Sequence, residues 1–511
     1  MIKRNLVANY IGQIWSAVMS IAFIPLYIKY LGIESYGLIG LFGMLLTWLG
    51  ILDLGMTPSL SREMARYTGG AHTADSIIDL LRSIEFITLA IALFIASGVW
   101  LSSNWLANHW LRADKLPSDL VAEAFSIMGF VTALRFIENI YRSTIIGLQK
   151  HVAYNVVNII MSSLRGLGAV GVLVWVSNSI RLYFVWQGVI SLLTLITLAT
   201  ITYYYLPKTT RKARFSLQAL KGVGKFAGGV LGISLLSLML TQIDKLLLSR
   251  LLSLTEYGYY TLASVSAASL FLIIGPISQA WAPKLTELQA VNDNQKLIDK
   301  YHQGAQLISV IMGSAAMMFV FFGETILFVW TKDAALANKT SVVFRLLSIG
   351  NLLNGLNTIP YLLQMAYGWT SLITRINIIA VLVIIPVLVL VTPIMGTLGA
   401  ASAWVFLNAG YIFIGIHFMY RRLLSNQKWI WFREDFFIPI LSAALTAAML
   451  SMLMPEKLTF QMKFAYLFVS GMIVFVAASF SSFYMRNSIY FLIRYINQFL
   501  IRKDDLQNPA K

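Results

Sequence analysis

The sequence predicts an all-α polytopic membrane protein with about fourteen transmembrane helices. Three observations carry this reading. Hydrophobic residues make up 58% of the 511-residue chain and charged residues only 12%, with a mean hydropathy of +0.73, whereas a soluble chain is about one quarter charged. Apolar runs of about 20 residues, long enough to cross a bilayer, recur from end to end. Lys and Arg collect in alternate connections, as cytoplasmic loops do. The short alternating segments of a transmembrane barrel are not seen.

The spans follow in order. Lys3 and Arg4 precede the apolar stretch Leu6–Tyr30, which exceeds a signal-peptide core and has no evident small-residue cleavage site, so it reads as a retained first span. The second to sixth spans are 36–60, 81–103, 121–149, 152–177 and 181–206. The basic connection Pro207–Lys225 leads to six more: 226–250, 256–282, 304–330, 341–366, 370–393 and 396–420. Two weakly charged spans, 435–454 and 463–485, complete the set. With the N-terminus inside, the inner segments hold 24 of the 39 Lys and Arg and the outer ones 9, which places both termini in the cytoplasm and favours an even span number. The segments Ser61–Arg82 and Pro283–Gln303 read as amphipathic pieces on the membrane surface. The expected organisation is therefore an N-lobe 1–206, a linker 207–225, a C-lobe 226–422, two additional spans within 423–485 and a basic tail 486–511.

The two halves carry a matched turn. LGIESYGLIGLF (Leu31–Phe42) and LSLTEYGYYTLA (Leu252–Ala263) place Glu34, Tyr36, Gly37 and Glu256, Tyr257, Gly258 at the outer end of consecutive spans. In each half the next span reaches a proline, Pro58 or Pro283, and a charged loop. Similar halves in one orientation are a known transporter plan.

Several chemistries are excluded by inspection. With no cysteine there is no disulfide framework and no thiolate metal site. His72, His109, His151, His302 and His417 show no metal-ligand spacing, so no metal and no cofactor is expected. No GxxxxGK[ST] phosphate loop occurs, and external loops, the longest about Asn104–Asp119, hold no folded catalytic domain. The carboxylate pairs Glu434-Asp435 and Asp504-Asp505 read as solvated surface. The net charge of +17 is explained by cytoplasmic loops rather than nucleic acid.

Polar residues within spans are the candidate site. Phe125–Gln149 is apolar enough to span, yet carries Arg135, Glu138 and Arg142 at i, i+3, i+7 on one helix face. A charge at mid-bilayer costs about 2.5–3.5 kcal/mol on insertion scales, so such residues face a bundle interior or an aqueous cavity. Span 1 carries the stripe Asn5, Asn9, Gln13, Ser16, Ser20; span 5 carries Asn158, Ser162, Arg165; span 7 carries Asp244 and Lys245. Span 10 carries Arg345, Asn351, Asn354, Asn357, Tyr361 and Gln364, and span 11 carries Arg375 and Asn377. Each stripe alone is explained by interhelical hydrogen bonding; together they suit a polar lumen. Deep basic residues outnumber acidic ones six to four, and arginine presents the planar donors that match phosphate. The cationic lumen is read as Arg135, Arg142, Arg165, Arg345 and Arg375, its polar lining as Asn9, Gln13, Asn158, Asn354, Asn357 and Gln364. Asp53, Glu138 and Asp244 are the carboxylates suited to ion coupling. Pro25, Pro58, Pro276, Pro360, Pro386 and Pro439 interrupt spans, as helices that bend in transport do.

The opening NLVANYIGQIWSAVMSIAFIPLYIKYLGIESYGLIGLF, followed by LDLGMTPSLSREMA, resembles the start of bacterial Wzx-type O-antigen or polysaccharide flippases. QIDKLLLSRLLSLTEYGYYTLA is similar to the corresponding stretch of their second half. The similarity extends over most of the chain in length and span number. The superfamily (MATE/MOP-like) also holds multidrug extruders and lipid II flippases. The resemblance implies two six-helix lobes in a V plus two C-terminal helices in the inner membrane. It implies transfer of an undecaprenyl-diphosphate-linked oligosaccharide from the cytoplasmic to the periplasmic leaflet, with the arginines holding the diphosphate and spans 13–14 near the polyprenyl tail. Implied partners are the lipid-linked oligosaccharide, membrane lipids, a polysaccharide polymerase and a chain-length regulator. A lipid II or teichoic-acid precursor flippase, a multidrug or organic-cation antiporter, and a membrane polymerase or ligase are the alternatives.

Overall fold

The computed structural model describes residues 2–209, 211, 213–487 and 490, so the basic tail expected over 486–511 lies almost wholly outside the described residues. The chain forms α1 (Ile2–Ala22), α2 (Ile24–Leu31), α3 (Ile33–Leu49), α4 (Met56–Thr68), α5 (Ala74–Trp105), α6 (Ser118–Gly147), α7 (His151–Trp175), α8 (Ile180–Tyr205) and α9 (Leu217–Leu251). There follow α10 (Leu254–Ala268), α11 (Ile274–Ala290), α12 (Asn294–Thr331), α13 (Ala334–Leu356), α14 (Thr358–Ala366) and α15 (Thr370–Gly410). The last are α16 (Ile416–Arg422), α17 (Lys428–Ile430), α18 (Ile438–Met452) and α19 (Phe460–Ser481). Among the described residues, extended pairing is confined to one isolated bridge.

Among the described residues thirteen segments are long and apolar enough to span. One of them, Thr370–Arg422, is 53 residues long and contains the expected spans 11 and 12. They are two helices that meet at Gly396, whose φ of +55° and ψ of −132° are a non-helical conformation that glycine alone enters freely. The polytopic helical class is as the composition requires. Of the two expected amphipathic segments, 61–82 falls on the separate short helix α4, which follows a break at Leu54 and Gly55, and on the start of α5, while 283–303 falls on the end of α11 and the start of α12. At about 1.5 Å per residue the 32-residue α5 and 38-residue α12 exceed a ~30 Å hydrocarbon layer. Five of the six prolines sit within the first three residues of an α-helical segment, in α2, α4, α11, α14 and α18. Pro58 restarts α4 after the left-handed Leu54 and Gly55, where the missing N–H costs nothing, whereas Pro276 and Pro439 mark the change from a 3-10 and a π-helical segment to α-helix. Pro386 lies inside α15.

The chain divides into two compact units. The first is Met1–Leu262 with Asn377–Ala400, the second Ala263–Ile376 with Ala401–Lys511. This grouping differs from the span-counted halves, because α9, the start of α10 and the middle of α15 join the first unit.

In the first unit α5, α6 and α8 pack closely through small residues. A Cβ on Gly129 would lie 2.6 Å from the Val99 side chain, and one on Gly147 would lie 2.5 Å from the Ser61 carbonyl of α4. The linker is pinned to α5: Arg211 pairs with Asp79 at 2.5 Å and Asp75 at 3.2 Å, and the Arg214 N–H donates to Asp79 at 2.8 Å. Ser216 then caps α9, accepting from the Ala219 N–H.

The second unit is built round α12, which is buried on several faces. Tyr301, Ile308, Met312 and Phe322 of α12 meet Leu352, Leu356 and Ile359, while Ala443 and Ala447 of α18 and Val474 and Ala478 of α19 form the opposite side of the core. Spans 13 and 14 therefore have two characters. Their small residues pack inward; Leu441, Leu445, Phe464 and Phe468 are exposed, as lipid-facing positions are.

Candidate functional site

The stripe on α6 meets α7 and α8 in a polar network inside the first unit. Arg165 of α7 donates through Nη2 to both carboxylate oxygens of Glu138 at 2.9 and 3.1 Å, and to the Thr194 hydroxyl at 3.3 Å. Arg135 donates to Gln187 Oε1 at 2.9 Å and to Ser191 Oγ at 3.3 Å, and its guanidinium lies 5.1 Å from the Phe42 ring centre. The Gln187 amide reaches back to the Arg165 carbonyl at 3.4 Å. Glu138 is 8% exposed. A buried carboxylate is costly without a cation beside it, and among the described residues Glu138 has one direct ion-pair partner, Arg165.

Arg142, two turns along α6 from Arg135, is exposed and stacks on Tyr154 at 5.5 Å. Among the described residues it has no carboxylate within ion-pair reach. Arg165 Nε is buried and without a partner. Three arginines against one glutamate leave two positive charges in excess. Chemically this can attract an anion whose oxygens take the open donors of Arg142 and Arg165.

The remaining sequence-selected residues divide by what they touch. Asn9 accepts from the Asn155 amide at 2.7 Å and meets His151 at 3.3 Å, and Asn158 donates to Ser16 at 2.7 Å. These amides stitch α1 to α7. Gln13, on the same stripe, is exposed; the Asn5 side chain lies outside the described residues. Asn155→Ala is expected to weaken the α1–α7 seam by about 1 kcal/mol, read as a lower unfolding temperature in detergent with export retained. Asp53 accepts from the Thr57 N–H at 3.1 Å and from the Thr57 hydroxyl; it satisfies the first turn of α4. Asp244 accepts from the Tyr260 hydroxyl, while its Oδ1 is buried with no partner.

In the second unit Asn354 donates to Asn408 at 2.8 Å, and Asn351 accepts from Trp404 at 2.8 Å, joining α13 to α15. Gln364 is buried with its Oε1 unpartnered, and Asn357 is half-buried. Arg345 is half-buried with Nε unpartnered, and Arg375 is exposed. The structure thus brings Arg135, Glu138, Arg142 and Arg165 together, and places Arg345 and Arg375 in the other unit.

Two groups escaped the sequence reading. Gln187, Ser191 and Thr194 are spaced 4 and 3 on α8, a stripe that helical periodicity could have shown. The second is the pair His302–Asp435. Asp435, expected on a solvated surface, is fully buried at 0% exposure. Its Oδ2 meets His302 Nδ1 at 2.5 Å and its Oδ1 accepts from Gln306 at 2.9 Å. The correction has a simple cause: the partner lies 133 residues away, and no local pattern signals it.

Comparison with known proteins gives the family and the fold. The polysaccharide biosynthesis protein family matches residues 2–289. A Shigella flexneri protein named "Putative O-antigen transporter" is 21% identical over 407 residues, which is 79% of this chain and 94% of that protein. A structure of the lipid II flippase MurJ in an inward closed conformation superposes with a TM-score of 0.68 at 13% identity, covering 95% of this chain and 99% of that one. An inward-facing multidrug resistance MATE family transporter of the MOP superfamily gives a TM-score of 0.65 at 14% identity, over 80% and 94%. These likenesses establish a shared fold. With the family match extending over more than half its length, this multi-pass membrane protein belongs to the polysaccharide biosynthesis protein family.

Proposed function

We propose that the protein is a flippase for an undecaprenyl-diphosphate-linked oligosaccharide, an O-antigen or similar repeat unit. It carries this from the cytoplasmic to the periplasmic leaflet of the inner membrane by alternating access, with both termini in the cytoplasm. The observation that carries the reading is the arginine excess around Glu138 within membrane-spanning helices of a polysaccharide biosynthesis family member. A diphosphate supplies the charge and the oxygens that the exposed Arg142 guanidinium lacks; Arg165, which is already paired with Glu138, and Arg135, Arg345 and Arg375 are proposed to meet further phosphate or acidic sugar groups. Gln13, Asn357 and Gln364 offer amides to a glycan. Asn9, Asn158 and Asn354 act by holding the helices that present these groups. Asp244, with a free buried oxygen, and Glu138 are the carboxylates available for ion coupling, and Asp53 is the third candidate.

The lipid tail is proposed to lie along the α12–α19 face. An apolar groove of about 1010 Å³ runs between α12 and α19, lined by Met318, Trp330, Phe460, Phe464, Phe468 and Met472 among others. A lipid II or teichoic-acid precursor shares the diphosphate and the tail, and the fold shared with MurJ favours keeping that reading second. A cationic drug would meet net positive charge at the α6–α7–α8 site. A polymerase and a chain-length regulator are the proposed pathway partners.

The test is deletion of the gene. Surface polysaccharide is expected to disappear while lipid-diphosphate-linked repeat units accumulate in the inner leaflet, with rescue by the intact gene. Flipped units accumulating outside would point to a polymerase or ligase. Intact polysaccharide with altered drug sensitivity would point to an antiporter.

A further inference from the structure

The connection between α5 and α6 is more than a loop. Residues 106–117 lie across the junction of α9 and α10 and tie it to α3, all within the first unit. Trp110 Nε1 donates to Ser249 Oγ at 3.1 Å, and Arg250 donates to the His109 carbonyl while its guanidinium lies 5.4 Å from the Trp110 ring centre. Arg112 and Ser253 form a backbone bridge, with the Leu254 N–H donating to the Arg112 carbonyl at 2.8 Å. Arg112 Nη1 reaches the Leu251 carbonyl at 3.4 Å. Asp114 engages Thr255 and Ser253.

On the other side the same strap is held by Glu34. Its carboxylate accepts the backbone N–H groups of Asp114 at 2.7 Å, Lys115 at 3.0 Å and Leu116 at 3.3 Å. Beneath it the matched turns of the two halves meet. A Cβ on Gly37 would lie 2.4 Å from the Leu254 carbonyl, and one on Gly258 would lie 2.3 Å from the Ile33 carbonyl. The repeated Tyr-Gly pairs are therefore explained by backbone contact between α3 and α10.

We propose that the strap 106–117 is a latch that fastens α9–α10 to α3 at the end opposite the basic loops, and that it releases in each transport cycle. The assignment rests on the transport reading above. Its outer attachments are polar and exposed, Arg112, Asp114, Lys115 and Arg250 among them, so water replaces these at small cost, while the Glu34 anchor beneath them is buried. Among the described residues only 11% of the apolar window of α9 is buried, the lowest share of the candidate spans, although its N-terminal part is held against α4 and α5 through Ala227, Ala219 and Leu220. Polar, wet contacts to a weakly packed helix are where local opening occurs.

The chain has no cysteine, which makes cross-linking clean. In Arg112→Cys/Ser253→Cys the two positions are bridged neighbours, within the reach of a disulfide. Oxidation is expected to lower surface polysaccharide by roughly tenfold or more, because one of two required states is removed; reductant restores it, and each single variant exports normally. A cross-link that forms fully and leaves export intact overturns the latch.

A second variant covers poor folding of the first. Glu34→Gln weakens the hold on three amides, and Ser253→Cys in that background should react with an impermeant maleimide roughly fivefold faster. Equal labelling rates overturn the proposal. The labelling needs no knowledge of the substrate. If gene deletion leaves polysaccharide unchanged, the flippase reading fails while the latch is still decided by the labelling.

Discussion

Arg142→Ala is expected to remove most polysaccharide export while the protein stays folded and at its normal membrane level. The two halves of that result have separate physical reasons. Arg142 is exposed and rests only on the Tyr154 ring, and such a cation–π contact is worth about 0.5–1 kcal/mol, too little to unfold the bundle. A charge-assisted hydrogen bond to a phosphate oxygen is worth about 1.5–3 kcal/mol, so its loss weakens substrate binding about tenfold to hundredfold. Surface polysaccharide and protein level are measured on the same cells. Arg142→Lys should recover part of the activity, because a point charge keeps the attraction and loses the planar fork. Full export by Arg142→Ala at normal protein level would remove Arg142 from the site. Arg165→Ala makes a useful contrast: it also leaves Glu138 buried without its ion partner, so both export and stability should fall.

His302→Ala is expected to destabilise the second unit more than any substitution among the lumen candidates. Asp435 at 0% exposure would keep its Gln306 bond and lose its His302 partner, and breaking a buried pair from one side costs about 3–5 kcal/mol. The pair also bridges elements. His302 lies on α12 and Asp435 enters α18, His302 Nε2 meets Gln427 at 3.0 Å, and Gln306 accepts from Ser482 at 2.6 Å beyond the end of α19. The last two spans are thereby fixed to α12 at one end. The readout is membrane abundance and unfolding temperature in detergent. The double variant His302→Ala/Asp435→Asn should regain much of the loss, because it removes the stranded charge. A single variant as stable as the parent would show that the pair does not hold α18 and α19.

The sequence by itself determined the membrane class, the spans and their approximate ends, because hydrocarbon length and backbone satisfaction act on contiguous residues. It also determined the stripe Arg135, Glu138, Arg142, since 3.6-residue periodicity places those side chains on one face without reference to the rest of the chain. Prolines marked the breaks for the same local reason. What only the tertiary structure decided was which polar residues meet. Asn9 and Asn155 stand 146 positions apart, Arg165 and Glu138 27 apart, and His302 and Asp435 133 apart. A polar residue in a span must find a partner somewhere in the bundle, but its own helix does not say where. Asparagine therefore serves as a helix tie at Asn9 and as a half-buried amide at Asn357, and arginine as an ion-pair partner at Arg165 and an open donor at Arg142. Burial and the identity of the facing side chain make that choice, and both are set by packing between distant segments.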